Sequence, residues 1–101
     1  MNIIINEQKL KISDRLRKKI QAKFDKGLEK FLKNYQADMK VASLSIQKLT
    51  RAGYEIKFDM NLPGLPINIK DTHKVLIDGV IRVRNQAKRQ IKKYLEKLRR
   101  Y

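Results

Sequence analysis

The sequence contains no cysteine, which excludes disulfides, thiolate metal sites and cysteine nucleophiles in one step. Histidine is nearly absent as well. The only one is His73; no sequence neighbour suggests a catalytic dyad or a ligand set, so it reads as a surface or capping residue. Glu55, Asp59 and Asp71 are the carboxylates nearest to a pairing arrangement, but alternating strand positions ordinarily hold solvated charges. No glycine-rich phosphate loop of the Walker or Rossmann kind is present. No apolar run approaches the length of a membrane span. The opening Met1-Asn2-Ile3-Ile4-Ile5-Asn6 lacks the positive n-region and the length of a signal peptide. These absences lead to the expectation of a soluble cytoplasmic protein with no catalytic residues, metal, cofactor, small-molecule substrate or membrane partner.

Acidic residues are also scarce. Ten Asp and Glu stand against 25 Lys and Arg, for a net charge of +15 and an isoelectric point near 10.3. Self-repulsion of that size is retained when something anionic relieves it, whereas a charge of about 2 to 8 is enough to keep a small domain soluble. Nucleic acid is the leading partner.

At 101 residues the chain supports one domain, spanning 1–101, with roughly two-thirds of its extended surface hidden on folding. The 42% of apolar residues are organised by periodicity and not scattered as in a disordered tail. No linker, repeat or low-complexity stretch interrupts them.

Ile3 to Ile5 is a short β-branched run that fits a buried strand. Ser13 then precedes Asp14 as a helix N-cap, with the carboxylate favourable at the positive end of the dipole. Leu16, Ile20, Phe24, Leu28, Phe31 and Leu32 recur at helical spacing, and Gly27 is the only weak helix former before a polar exit at Asn34-Tyr35-Gln36. The opposite face carries Arg15, Lys19, Lys26, Lys30 and Lys33. Arg15 and Lys19 lie near the helix start, where cations are disfavoured by about 0.3 to 1 kcal/mol each, which argues against an incidental solvated stripe.

Over 41–50, Ala42, Leu44 and Ile46 alternate with Ser43, Ser45 and Gln47 as in a half-buried strand. Arg51-Ala52-Gly53 is a turn. Tyr54, Ile56, Phe58, Met60 and Leu62 then alternate without error against Glu55, Lys57, Asp59 and Asn61. Pro63-Gly64 suits the centre of a type II turn, and Leu65, Ile67 and Ile69 continue as a fourth strand, antiparallel to its predecessor. Thr72 or Asp71 is placed to cap a final helix whose apolar line is Leu76, Val80, Val83, Ala87, Ile91, Tyr94 and Leu98. The expected fold is α+β in the order β-α-β-β-β-α: a four-stranded sheet with two helices packed on one face.

Residues 82–101 hold nine Lys or Arg against Glu96 alone, and a helix presenting such a row neutralises backbone phosphates while its apolar side stays in the core. Lys97, Arg99 and Arg100 also complement the helix dipole, a purely structural alternative for those three. Tyr54 and Phe58 share the face of Ile56 and Met60, so they read as core and not as an exposed platform for stacking bases. Contacts to phosphate and sugar follow, meaning recognition of a shaped RNA surface more than of a base sequence.

Met1-Asn2-Ile3, Ile12-Ser13-Asp14-x-Leu16-Arg17-x-x-Ile20 and Lys23-Phe24-x-Lys26-x-Leu28-Glu29-Lys30-Phe31 resemble the first strand and helix of the short-form ribosome hibernation promoting factor and ribosome-associated inhibitor A family. Ile77-Asp78-Gly79-Val80-Ile81 and Arg89-Gln90-Ile91-Lys92-Lys93 are similar to two segments of that family's last helix. Reading both requires extra residues between them, nearly one helical turn, and the apolar line through Val80, Val83, Ala87 and Ile91 favours the second. The resemblance implies a protein that lodges in the decoding channel of the small ribosomal subunit, contacts its rRNA, excludes messenger and transfer RNA and keeps idle ribosomes inactive. It further implies a monomer when free, with no dimerisation domain after Tyr101. The residues expected to meet rRNA are Lys23, Lys26, Lys30, Arg82, Arg89, Lys92 and Lys93. Two alternatives use the same residues differently: a general binder of double-stranded RNA or nucleoid DNA, and a membrane-surface protein anchored by the basic amphipathic segment 88–101.

Overall fold

The computed structural model describes residues 2–33, 41–51, 53–62 and 65–99. They form β1 (Asn2–Gln8), α1 (Asp14–Leu32), β2 (Val41–Lys48), β3 (Tyr54–Leu62), β4 (Leu65–His73) and α2 (Leu76–Arg99), the order read from the sequence. The strands lie side by side as β1-β2-β3-β4. β2, β3 and β4 pair antiparallel, as short connections allow, whereas β1 pairs parallel with β2. A parallel pair needs a long crossover, and α1 supplies it.

Both helices bury their apolar stripes on the same side of the sheet. Ile20, Phe24, Leu28 and Leu32 of α1 and Val80, Val83, Ala87 and Ile91 of α2 are fully buried, in one cluster with Leu44, Ile46, Ile56, Phe58 and Ile67 of the strands. The Phe24 ring lies flat on Phe58, with centroids 5.0 Å apart and planes 7° from parallel, which ties α1 to the middle of the sheet. Leu16, Phe31, Leu76 and Tyr94 complete the stripes as partly buried neighbours. Burial is continuous along the apolar line of α2 from Val80 to Ile91.

Ser13 caps α1 as expected. Its hydroxyl accepts from the Leu16 N–H at 3.2 Å, and its carbonyl accepts the first helical bond, from Arg17, at 2.9 Å. Just upstream, Glu7 accepts from the Ile12 N–H and pairs with Arg17 Nη2 at 2.9 Å. Arg17 also donates to the Ile5 carbonyl at 3.2 Å. This cluster fixes the connection in which Lys9 takes a positive φ of 62°.

Two expectations need correction. The Ile3 to Ile5 run is buried on one side only, because β1 is an edge strand of a sheet with one open face: Ile3 is 8% exposed and Ile4 51%. Asp71 and Thr72 do not cap α2. They remain in β4, paired with Ile56 and Glu55, because the β3-β4 hairpin continues for its full length. The helix starts at Leu76, where the Val75 carbonyl accepts from Gly79 at 3.0 Å. His73 Nδ1 accepts from the Val75 N–H at 3.0 Å, so the lone histidine has the capping role. The exit at Asn34-Tyr35-Gln36, Ala52 and the Pro63-Gly64 turn lie outside the described residues.

Gly53 has φ of 83°, and a Cβ there would sit 2.1 Å from the His73 carbonyl oxygen. Both facts demand glycine. Gly53→Ala is expected to cost about 2 kcal/mol or more, lowering the melting temperature of a domain this size by roughly 10 °C; a thermal melt within a degree or two of wild type would show that the turn relaxes freely.

Candidate nucleic-acid interface

The folding pattern that buries the apolar stripes sends the cations to one layer. α1 carries seven Lys or Arg against Asp14, Asp25 and Glu29, and α2 carries eight against Asp78 and Glu96. The four strands together hold only Lys48, Lys57 and Lys70 against Glu7, Glu55, Asp59 and Asp71. The helical layer is strongly positive and the sheet nearly neutral.

Successive rows across the open face of the sheet read Ile4-Ser43-Asp59-Asn68, Asn6-Ser45-Lys57-Lys70 and Gln8-Gln47-Glu55-Thr72. Its charges are matched locally, with Glu55 oxygens 3.8 Å from Lys57 Nζ and 3.7 Å from Lys70 Nζ. Phe58 is fully buried and Tyr54 packs against the core. Neither offers a stacking platform of the kind used to read single-stranded RNA on a sheet.

β4 runs parallel to β1 through two antiparallel steps, so α1 and α2, each following one of these strands, point the same way. The contacts between them keep that register. A Cβ on Gly27 would lie 2.5 Å from Arg84 Cδ and 2.9 Å from its Cγ, and four residues on, Lys88 Nζ is 6.0 Å from the centre of the Phe31 ring. Lys30 Nζ lies 5.1 Å from the same ring. Arg84 therefore crosses the seam between the helices over a bare glycine, and its Nε and Nη2 both donate to Asn85 Oδ1, at 3.3 and 3.0 Å.

Of the seven cations named from the sequence, Lys23 is half-buried and Lys26 and Lys30 are exposed on α1. Arg89, Lys92 and Lys93 are exposed together on α2; Arg89 and Lys93 border a depression of about 230 Å³ with Gln86 and Gln90. No ion pair among the described residues engages these six. Arg82 stands apart. Its Nε is 3.1 Å from Asp71 Oδ2, which also accepts from Gln86 at 3.0 Å, so part of its charge is spent holding α2 to β4.

Residues 3–99 match the family model described as sigma 54 modulation protein / S30EA ribosomal protein. The chain belongs to this family. The ribosome hibernation factors that the sequence resembles point to the same family, which is one of ribosome-associated proteins. The S30EA chain is also similar to two solved structures. One is the crystal structure of the Thermus thermophilus Protein Y N-terminal domain, 22% identical, with a TM-score of 0.68 over 93% of this chain and 99% of that one. The other is a ribosomal subunit interface protein from Coxiella burnetii, 18% identical, with a TM-score of 0.74 over 95% and 99%. At those identities the likeness is one of fold. No curated protein matches the chain.

Sequence reasoning missed the seam of this S30EA-family chain. Arg84 and Lys88 sit one helical turn apart on α2, facing Gly27 and Phe31, one turn apart on α1. That pairing becomes visible only once the helix register is known, although a glycine inside an otherwise strong helix was a signal that something approaches closely. Arg17, by contrast, belongs to the quoted motif but serves the fold, through Glu7 and the Ile5 carbonyl.

Proposed function

We propose that the chain is a translation inhibitor that occupies the decoding channel of the small ribosomal subunit through rRNA contacts and keeps idle ribosomes inactive. The observation that carries this is the segregation of charge: two parallel helices hold the excess cations on one layer, over a sheet whose own charge nearly cancels. Such a layer tracks phosphates without reading bases. Family membership supplies the ribosome as the setting, and with it the cytoplasm, while the decoding channel comes from the resemblance to hibernation factors. Lys23, Lys26, Lys30, Arg89, Lys92 and Lys93 are the phosphate contacts, with Arg82 a secondary one at the start of α2. The partner is the small subunit and its rRNA, and the free protein is a monomer.

The test is sedimentation of tagged protein with small subunits, large subunits and whole ribosomes, with competition by arbitrary duplex RNA and DNA. Retention on small subunits against a large excess of duplex supports the reading. Equal displacement by any duplex favours a general double-stranded RNA or nucleoid DNA binder.

The protein acts by binding alone. The family is one of ribosome-associated proteins, and the lone histidine, His73, has its Nδ1 occupied as a hydrogen-bond acceptor. Purified protein is expected to turn over neither RNA nor nucleotide; turnover that co-purifies with wild type and disappears in His73→Ala or Asp71→Asn would overturn this.

A further inference from the structure

We infer that Gly27 and Asn85 are positioning residues for Arg84, and that Arg84 is a phosphate clamp in the seam between the two helices. The inference rests on the rRNA-binding reading and adds a site to it. Arg84 is only partly exposed, because its stem lies in the slot that the missing Cβ of Gly27 leaves open. Asn85 Oδ1 accepts from Nε and Nη2, and this fixes the plane of the guanidinium with the remaining N–H groups left for another acceptor. No carboxylate among the described residues pairs with it. Lys88 lies one turn further along α2, with Lys23 and Lys30 flanking Gly27 on α1. A planar five-donor fork, held in place and surrounded by cations, suits a phosphate diester taken in two-point fashion. A lysine at the same position would be a point charge without that geometry.

The physical content lies in what glycine does here. In mid-helix, Gly is a poorer helix former than Ala. The atoms that a Cβ would meet belong to the middle of a flexible side chain and not to backbone. Gly27→Ala should therefore leave the helices packed and swing Arg84 out of the seam. The variant keeps every charge of the protein and is expected to stay folded, the better helix propensity of Ala offsetting part of the cost of displacing the Arg84 stem, yet to bind small subunits about tenfold more weakly.

The experiment measures small-subunit affinity across a salt series, beside thermal melts, for wild type, Gly27→Ala, Asn85→Ala, Arg84→Ala, Arg84→Lys, the double variant Gly27→Ala/Arg84→Ala, and the triple variant Arg89→Ala/Lys92→Ala/Lys93→Ala. Arg84→Ala should lose about tenfold and shorten the slope of log affinity against log salt by about one unit. Gly27→Ala should shorten it almost as much although its charge is unchanged, which a purely structural role would not do. The double variant should lose no more than Arg84→Ala, and Arg84→Lys should recover little. Wild-type affinity in Gly27→Ala or Arg84→Ala, or additive losses in the double, would overturn the inference. Should Gly27→Ala fail to fold, Asn85→Ala reads the same positioning from an exposed site: a severalfold loss supports it and unchanged binding overturns it. A loss in the triple variant alone retires the seam site and keeps the rRNA reading, whereas a wild type that does not bind small subunits retires both.

Discussion

Replacing Arg89, Lys92 and Lys93 together by Ala is expected to weaken binding to small ribosomal subunits by about a hundredfold to ten-thousandfold while leaving the fold intact. The three side chains are exposed on one face of α2 and take part in no ion pair among the described residues, so no described ion pair is lost with them. Exposed substitutions of this kind change stability by about 0.5 kcal/mol or less, and Ala is the best helix former. A hydrogen bond to a charged group contributes about 1.5 to 3 kcal/mol, and each 1.4 kcal/mol is tenfold in affinity. Two of the three cations meeting phosphates would give the lower figure and all three the upper. Equilibrium binding of the variant beside its circular dichroism melt makes the check. Unchanged affinity with an unchanged melt would remove the C-terminal half of α2 from the interface.

An effect of comparable size is expected from salt alone. Each phosphate neutralised by Lys or Arg releases condensed counterions, so log affinity falls with log salt by about 0.7 to 0.9 per contact. With about six contacts, going from 50 to 200 mM monovalent salt should cost roughly a thousandfold in affinity. Structured rRNA departs from ideal duplex, which alters the slope per contact without removing it. Inhibition of a reporter translated in the same buffers should lift in step with dissociation, since occupancy leaves no chemical change behind. The series is run at fixed magnesium. A flat affinity curve would mean that shape or apolar contact drives the complex; inhibition that persists after full dissociation would rule out occupancy as the mechanism.

Much of the architecture is legible from residue order because burial writes a period into the chain. Ile20, Phe24, Leu28 and Leu32 repeat at the helical spacing, Ile56, Phe58 and Met60 at the strand spacing, and all seven are buried where those periods place them. Ser13 is an equally local signal, since an N-cap bond reaches only three residues ahead. The start of α2 was less legible. Asp71 and Thr72 have the right chemistry for a cap, but pairing with β3 outweighs it, and that pairing is made with residues far back in the sequence. The same limit applies to Ile4, whose exposure follows from β1 lying at the edge of a sheet covered on one face.

The sequence by itself determined the element order, the one-sided core, the excess of positive charge and the exposed cations Lys26, Lys30, Arg89, Lys92 and Lys93, because each depends on neighbours within a few residues or on a simple sum. Only the tertiary structure decided that β1 joins β2 in parallel, that Arg82 is held by Asp71, that Arg17 is held by Glu7, and that Arg84 crosses α1 at Gly27. Each of these is a contact between two different elements. Its partner is set by the register and direction of packing, which a local period leaves open.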